Sequence, residues 1–151
     1  MKPCSKKLKT VLEMTSSNAV SNAIPDVYLG AVKSVMGEMN LDSACEMSHG
    51  SDGRFFLNIY TWRNGSKLIP ILIEEFEAGQ VKEAIIVANN HCRDADWYQL
   101  LLNGTICFAN NKNWNNKKRI CVVYFGPNRD KFISEFSQLG NVVEKVNRRN
   151  P

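Results

Sequence analysis

The sequence predicts a layered α/β domain with helices on both faces of a mostly parallel sheet. Three observations carry the prediction. Short apolar runs that read as strands recur along the chain, and segments with helical apolar spacing separate them. One run, AIIVA from Ala84 to Ala88, is apolar at every position, as a strand covered on both faces must be. No internal repeat is present, and 151 residues is the usual size of one domain.

In chain order, residues 1–22 are rich in Ser, Lys and Asn without a sustained period and read as a flexible basic arm. The domain is expected over 23–146, with 147–151 as a basic tail. Pro25 opens a helix running to Met36, on which Val27, Ala31, Val32 and Val35 form an apolar face, and Gly37 stops it. Met39 to Ala44 is a strand candidate, and Cys45 to Gly53 reads as a loop. Phe55 to Ile59 has the length and aromatic content of a buried strand. After a second loop, Thr61 to Gly65, a helix is expected from Ser66 to Ala78. Ser66 is its N-cap, Gly79 its C-cap, and Pro70 either kinks it or shifts its start.

Ala84 to Ala88 is the central strand. Asp94 or Asp96 then caps a helix through Trp97, Leu100 and Leu101 that ends at Asn103 and Gly104. Thr105 to Ala109 and Ile120 to Phe125 are strands joined by the polar connection NNKNWNNKKR. Asn128 to Leu139 is the last helix, stopped by Gly140, and Val142 to Val146 is a final strand. In an open α/β sheet, ligands sit outside the carboxyl ends of the strands. That rule brings the loops after Asp42, Leu57 and Ala88 to one edge.

Composition narrows the class further. Hydrophobic residues are 44% and charged residues 23%, which is globular composition and not the signature of disorder. No apolar run approaches the roughly 20 residues of a membrane span, and no signal-peptide core follows the basic start, so a cytoplasmic protein is expected. The five cysteines are irregularly spaced and two, Cys107 and Cys121, fall in strand candidates, as buried free thiols would. The net charge of +4 gathers at the two ends and in the 110–119 connection. Such clusters suit a polyanion, because neutralised phosphates release counterions; solvated basic tails are the alternative.

Few familiar catalytic motifs are present. Cys45 with His49, and His91 with Cys92, lack the further ligands a zinc site needs, so no metal is expected. Neither a Walker phosphate loop nor a Gly-x-Ser-x-Gly elbow occurs.

Several phrases do carry a resemblance. EAIIVANN (83–90), DWYQLL (96–101), ICF (106–108) and above all VVYFGPNRDKFISEFSQLGNVV (122–143) are similar to the C-terminal half of the phage-type DNA N-6-adenine-methyltransferase family. IPDVYLGAVKSVMGEMNLDSAC (24–45) resembles that family's opening, where a Thr-Pro pair begins the first helix and a Leu-Asp-Pro-Ala-Ser strand end helps hold S-adenosylmethionine. The resemblance covers residues 24–143 and implies a Rossmann-like, methyltransferase-type three-layer sandwich. It is truncated here, since only about a dozen residues separate Asp42 from Phe55, where the family carries further strand and helix.

The same resemblance implies the chemistry. In the family an Asn-Pro-Pro-Tyr loop follows a Phe-Leu strand. The Asn oxygen and a Pro carbonyl accept hydrogen bonds from the adenine amine, and the Tyr stacks on a base flipped out of the duplex. Acceptors that follow the positive charge developing on that amine stabilise methyl transfer, by the logic of an oxyanion hole with signs reversed. Here Asn58 takes the acceptor position and Ile59, Tyr60, Thr61 and Trp62 follow it: aligned without a gap, both prolines are absent and Thr61 replaces the aromatic, whereas with one deletion Tyr60 keeps the stacking role in a loop one residue shorter. By the same resemblance Pro25, Asp42 and Ser43 lie at the cofactor edge; Ile24 stands where the family has Thr, and Ser43 and Cys45 where it has Pro and the last Ser.

For DNA contact the candidates are Trp62, Lys112, Trp114, Lys117, Lys118 and Arg119, which combine stacking groups with cations. The expected function is thus S-adenosylmethionine-dependent methylation of adenine N6 in double-stranded DNA. A catalytically inactive remnant that binds DNA or a protein partner is the alternative, and a folded module without a nucleic-acid role the third.

Overall fold

The computed structural model describes residues 24–37, 47–49, 53–59, 62–89, 96–109 and 120–144. Within them the chain forms four helices and six strands: α1 (Asp26–Met36), β1 (Met47–His49), β2 (Arg54–Ile59), α2 (Trp62–Glu77), β3 (Glu83–Asn89), α3 (Asp96–Leu101), β4 (Thr105–Ala109), β5 (Ile120–Phe125), α4 (Arg129–Phe136) and β6 (Gly140–Glu144). The strands make one sheet in the order β1-β2-β3-β5-β4-β6.

The α/β class holds, but the mostly parallel sheet does not. Only β2 and β3 pair parallel; β1–β2, β3–β5, β4–β5 and β4–β6 are antiparallel. The cause lies in the connections. A parallel neighbour requires a crossover of a dozen or more residues, which α2 supplies between β2 and β3, whereas 110–119 is short enough to return β5 beside β4 as a hairpin. An all-apolar strand is therefore a sign of burial on both faces and not of parallel pairing. β5 is buried at all six positions, with antiparallel neighbours on both sides.

Alternation along the strands divides the core in two. Phe55, Leu57, Ala84, Ile86, Val123 and Phe125 face α2 and α3; Phe56, Ile85, Val87, Cys107, Val122 and Tyr124 face α1 and α4. The second layer is tied across the chain by Tyr28, whose hydroxyl donates to the Leu139 carbonyl at 2.8 Å. Phe132, fully buried, stacks between Tyr124 and Phe136, with ring centroids 5.3 and 4.4 Å away. Arg54 donates to the Met36 carbonyl and fixes the end of α1 beside the start of β2.

Local boundaries shift in readable ways. Pro25 is the N-cap of α1 and its carbonyl accepts the N–H groups of Tyr28 and Leu29, so the helix begins one residue later than expected. α2 begins at Trp62, so that 62–65 of the expected loop are helical, and runs through Pro70; residue 61 lies outside the described residues. The proline forfeits one intrahelical bond, and burial of Leu68, Ile69 and Leu72 outweighs that loss. At its end, Gln80 N–H donates to the Glu75 carbonyl and Gly79 N–H to Phe76, the capping expected of a glycine there. β1 lies in a stretch that reads as a loop, and the expected 39–44 strand falls outside the described residues. Gly140 starts β6 instead of only stopping α4, because the last helical residue is already Phe136. No described helix is long and apolar enough to cross a membrane.

Candidate functional site

Strand directions decide where a site can be. β2 and β3 run together, and β4, antiparallel to β5, runs the same way, so Ile59, Asn89 and Ala109 all end at one rim. Ile120 starts β5 at that rim too. The segments after Ile59, after Asn89 and between Ala109 and Ile120 therefore leave the sheet together, as the sequence predicts for the first two.

Asn58 is the next-to-last residue of β2, opposite Val87, on the face shared with α1 and α4. Its side chain is 3% exposed. Buried amides are kept only with hydrogen-bond partners, and Asn58 is not free of them. An incoming base reaches it only if the groups covering it move.

Behind the rim on the other face, α2 and α3 start close together. A Cβ built on Gly65 would fall 2.3 Å from Cζ2 of Trp97, so only glycine lets the first turn of α2 approach the indole. Trp97 is 3% exposed, and its Nε1 has no hydrogen-bond partner among the described residues. An orphaned buried donor costs about 1–3 kcal/mol.

The opposite edge carries a second polar group that the sequence analysis missed. Glu83, 6% exposed, opens β3. Tyr124 Oη donates to its Oε2 at 2.5 Å, Asn128 Nδ2 donates to the same oxygen at 2.9 Å, and the Asn128 backbone N–H donates to Tyr124 Oη at 2.8 Å. Burial, then the bond to Glu83, pushes the Tyr124 hydroxyl above its ordinary pKa. A Cβ on Gly126 would meet Tyr124 Oη at 2.5 Å and Glu83 Cγ at 2.6 Å. The signal was present in the sequence: a tyrosine inside an all-apolar strand needs a partner, and a glutamate at the head of AIIVA supplies one.

No family model, curated protein or solved structure matches this chain. Among the described residues, no three of His, Cys, Asp and Glu gather as a metal site requires.

Of the residues singled out from sequence, Asn58, Pro25 and the backbone of Trp62 are described. Trp62 opens α2 directly after the Asn58 loop, at the rim. Pro25 precedes α1, whose far end abuts Arg54 at the start of β2, so α1 runs back from the rim side of the sheet. Asp42, Ser43, Tyr60, Lys112, Trp114, Lys117, Lys118 and Arg119 lie outside the described residues. The two cysteines that are described, Cys107 and Cys121, form no disulfide and are buried on opposite faces. Burial, and then the neighbouring Cys121, pushes the Cys107 thiol up to about 12, which makes it inert at neutral pH.

Proposed function

We propose that this chain is a DNA adenine-N6 methyltransferase of the phage type, using S-adenosylmethionine. The observation that supports it is the position of Asn58. It stands at the carboxyl end of a strand, at the rim to which both ends of the 110–119 connection also come. On this reading Asn58 Oδ1 accepts the adenine amine and follows the charge that grows on its nitrogen. Tyr60 stacks on the flipped base, and Lys112, Trp114, Lys117, Lys118 and Arg119 engage the DNA beside it.

When bound, S-adenosylmethionine supplies an electrophilic methyl group on a sulfonium. Pro25, Asp42 and Ser43 are the residues offered for holding it.

The burial of Asn58 favours a second reading, a catalytically inactive remnant that still binds DNA or a protein partner. Without the two prolines that would preset the loop backbone, nothing in the local sequence forces the amide outward. Transfer of labelled methyl from S-adenosylmethionine to unmethylated duplex DNA separates the two. The enzyme reading predicts incorporation that falls by at least about a hundredfold in Asn58→Ala. No incorporation, together with salt-sensitive retardation of DNA that Lys117→Ala and Lys118→Ala weaken, selects the remnant.

A further inference from the structure

The two outer strands of the sheet are built differently. β1 is three residues long, which leaves little backbone for a neighbour to pair with. β6, on the other side, offers the five residues Gly140–Glu144, and among the described residues it pairs only with β4. Its outward N–H and C=O groups form a row that another strand can bond. The residues that commonly guard such a strand are missing from it, since β6 contains no lysine, arginine or proline. Its single charge, Glu144, is held by the Arg129 guanidinium.

Apolar side chains stand open beside that strand. Four large hydrophobic side chains are exposed among the described residues, and two of them, Phe108 at 39% and Val143 at 45%, are diagonal neighbours across the β4–β6 seam. There Ile106 pairs with Val143, and Phe108 with Asn141. Ile106 belongs to the core under α2 and α3, so the Phe108–Val143 strip is the uncovered end of that face.

We propose that β6 is the seam of a symmetric dimer, pairing antiparallel with β6 of a second copy of this chain. Residues directly opposite in an antiparallel pair point to the same face, and a twofold axis through Val142 is the register that uses the whole strand. Val142 then faces Val142 of the second copy, Asn141 faces Val143, and Gly140 faces Glu144. Charge agrees with that register: each Glu144 carboxylate lies across from a glycine, and no charged residue of β6 opposes a like charge. Apolar surface agrees as well. The axis stands perpendicular to the sheet, so the face under α2 and α3 continues from one copy to the next and the two Phe108–Val143 strips meet at the seam. A second copy therefore supplies both the backbone partners and the matching strip. Gly140 pairs with Ala109, so β6 starts at the rim, and antiparallel copies point their rims to opposite ends of the joined sheet. Both rims stay open, and the dimer stands or falls independently of the methyl-transfer reading.

The test is sedimentation equilibrium of the full chain from about 1 to about 300 µM. One strand pair with its flanking side chains is a small interface, so a dissociation constant of about 1–100 µM is expected. Val143→Lys sets two cations beside the axis and should raise that constant at least about tenfold. Its urea midpoint should stay near the parent's, because the side chain it replaces is exposed. Val142→Cys, oxidised with glutathione disulfide, should cross-link two copies well above the parent's level. Asn141→Cys should not, since only residue 142 meets itself and the 141 positions lie beyond disulfide reach.

A chain that stays monomeric at about 300 µM overturns the proposal and leaves the strip to a different partner. A dimer that Val143→Lys leaves intact overturns it too, by placing the contact elsewhere. Mass that keeps growing with concentration contradicts a closed twofold seam. Cross-linking through position 141 in preference to 142 overturns the register.

Discussion

At the edge where β3 begins, Glu83, Tyr124 and Asn128 satisfy one another, and Gly126 is crowded by the first two. At the rim where β3 ends, Asn58 is buried under groups that a substrate would have to displace, and Trp97 keeps a donor with no acceptor. Both edges bury polar atoms; at the rim Asn58 has a partner of its own, and among the described residues only the Trp97 donor is left open. A closed network specifies the fold; an open one marks where an outside partner is expected. The distinction follows bond closure, since burial alone would have ranked the two edges alike.

The closed edge should respond to mutation through stability. Phe132→Ala removes the fully buried ring on which Tyr124 stacks and should cost about 3–5 kcal/mol in urea unfolding. A loss under about 1 kcal/mol would mean that the α4 layer relaxes far more than close packing allows. Tyr124→Phe should cost about 2 kcal/mol, because it takes one of two donors from a buried carboxylate.

The open rim should respond differently. Asn58→Ala should cost about 1 kcal/mol of stability while abolishing methyl transfer. A stability loss as large as that of Tyr124→Phe would put Asn58 with the closed edge and erase the comparison.

Titration sharpens the contrast at smaller amplitude. The folded chain holds the Cys107 proton to about pH 12, whereas an unperturbed thiol releases it near 9.0. The contribution is therefore complete below pH 9.0 and lost as pH rises towards 12, since the unfolded chain then binds fewer protons. Tyr124, also raised, adds a loss of the same sign at higher pH. Cys107→Ala should flatten the alkaline fall in stability without touching transfer at neutral pH. The smallest effect belongs to the surface pair of Arg129 and Glu144. The guanidinium bond holds the Glu144 carboxyl below its ordinary range, so its contribution exists above that range and fades on acidification. Screening at this exposed site should make Glu144→Gln indistinguishable from the parent in urea at pH 7.

Much of this architecture was legible in the residues. The runs 105–109 and 120–125 became β4 and β5 at their expected ends, because short apolar segments bounded by polar loops allow little else. Pairing direction was not legible: it depends on how far each connection travels, and AIIVA would look the same beside either kind of neighbour. Residues 62–65 read as a loop since Asn64 and Gly65 are turn formers, yet Gly65 lies in a helix, where its missing Cβ leaves room for Trp97. That contact spans distant positions, and no local pattern announces it. Asn58 was found at the strand end, while its burial depends on what folds over it, which is tertiary information.

On the proposed reading, the amide of Asn58 serves methyl transfer at the rim. The most direct measurement is the N6-methyladenine content, by mass spectrometry of digested nucleosides, of DNA from cells without adenine methylation of their own that express the chain. The account predicts N6-methyladenine well above background with the parent chain and background levels with Asn58→Ala. Background levels with both, from chains that are folded and abundant in those cells, would contradict it.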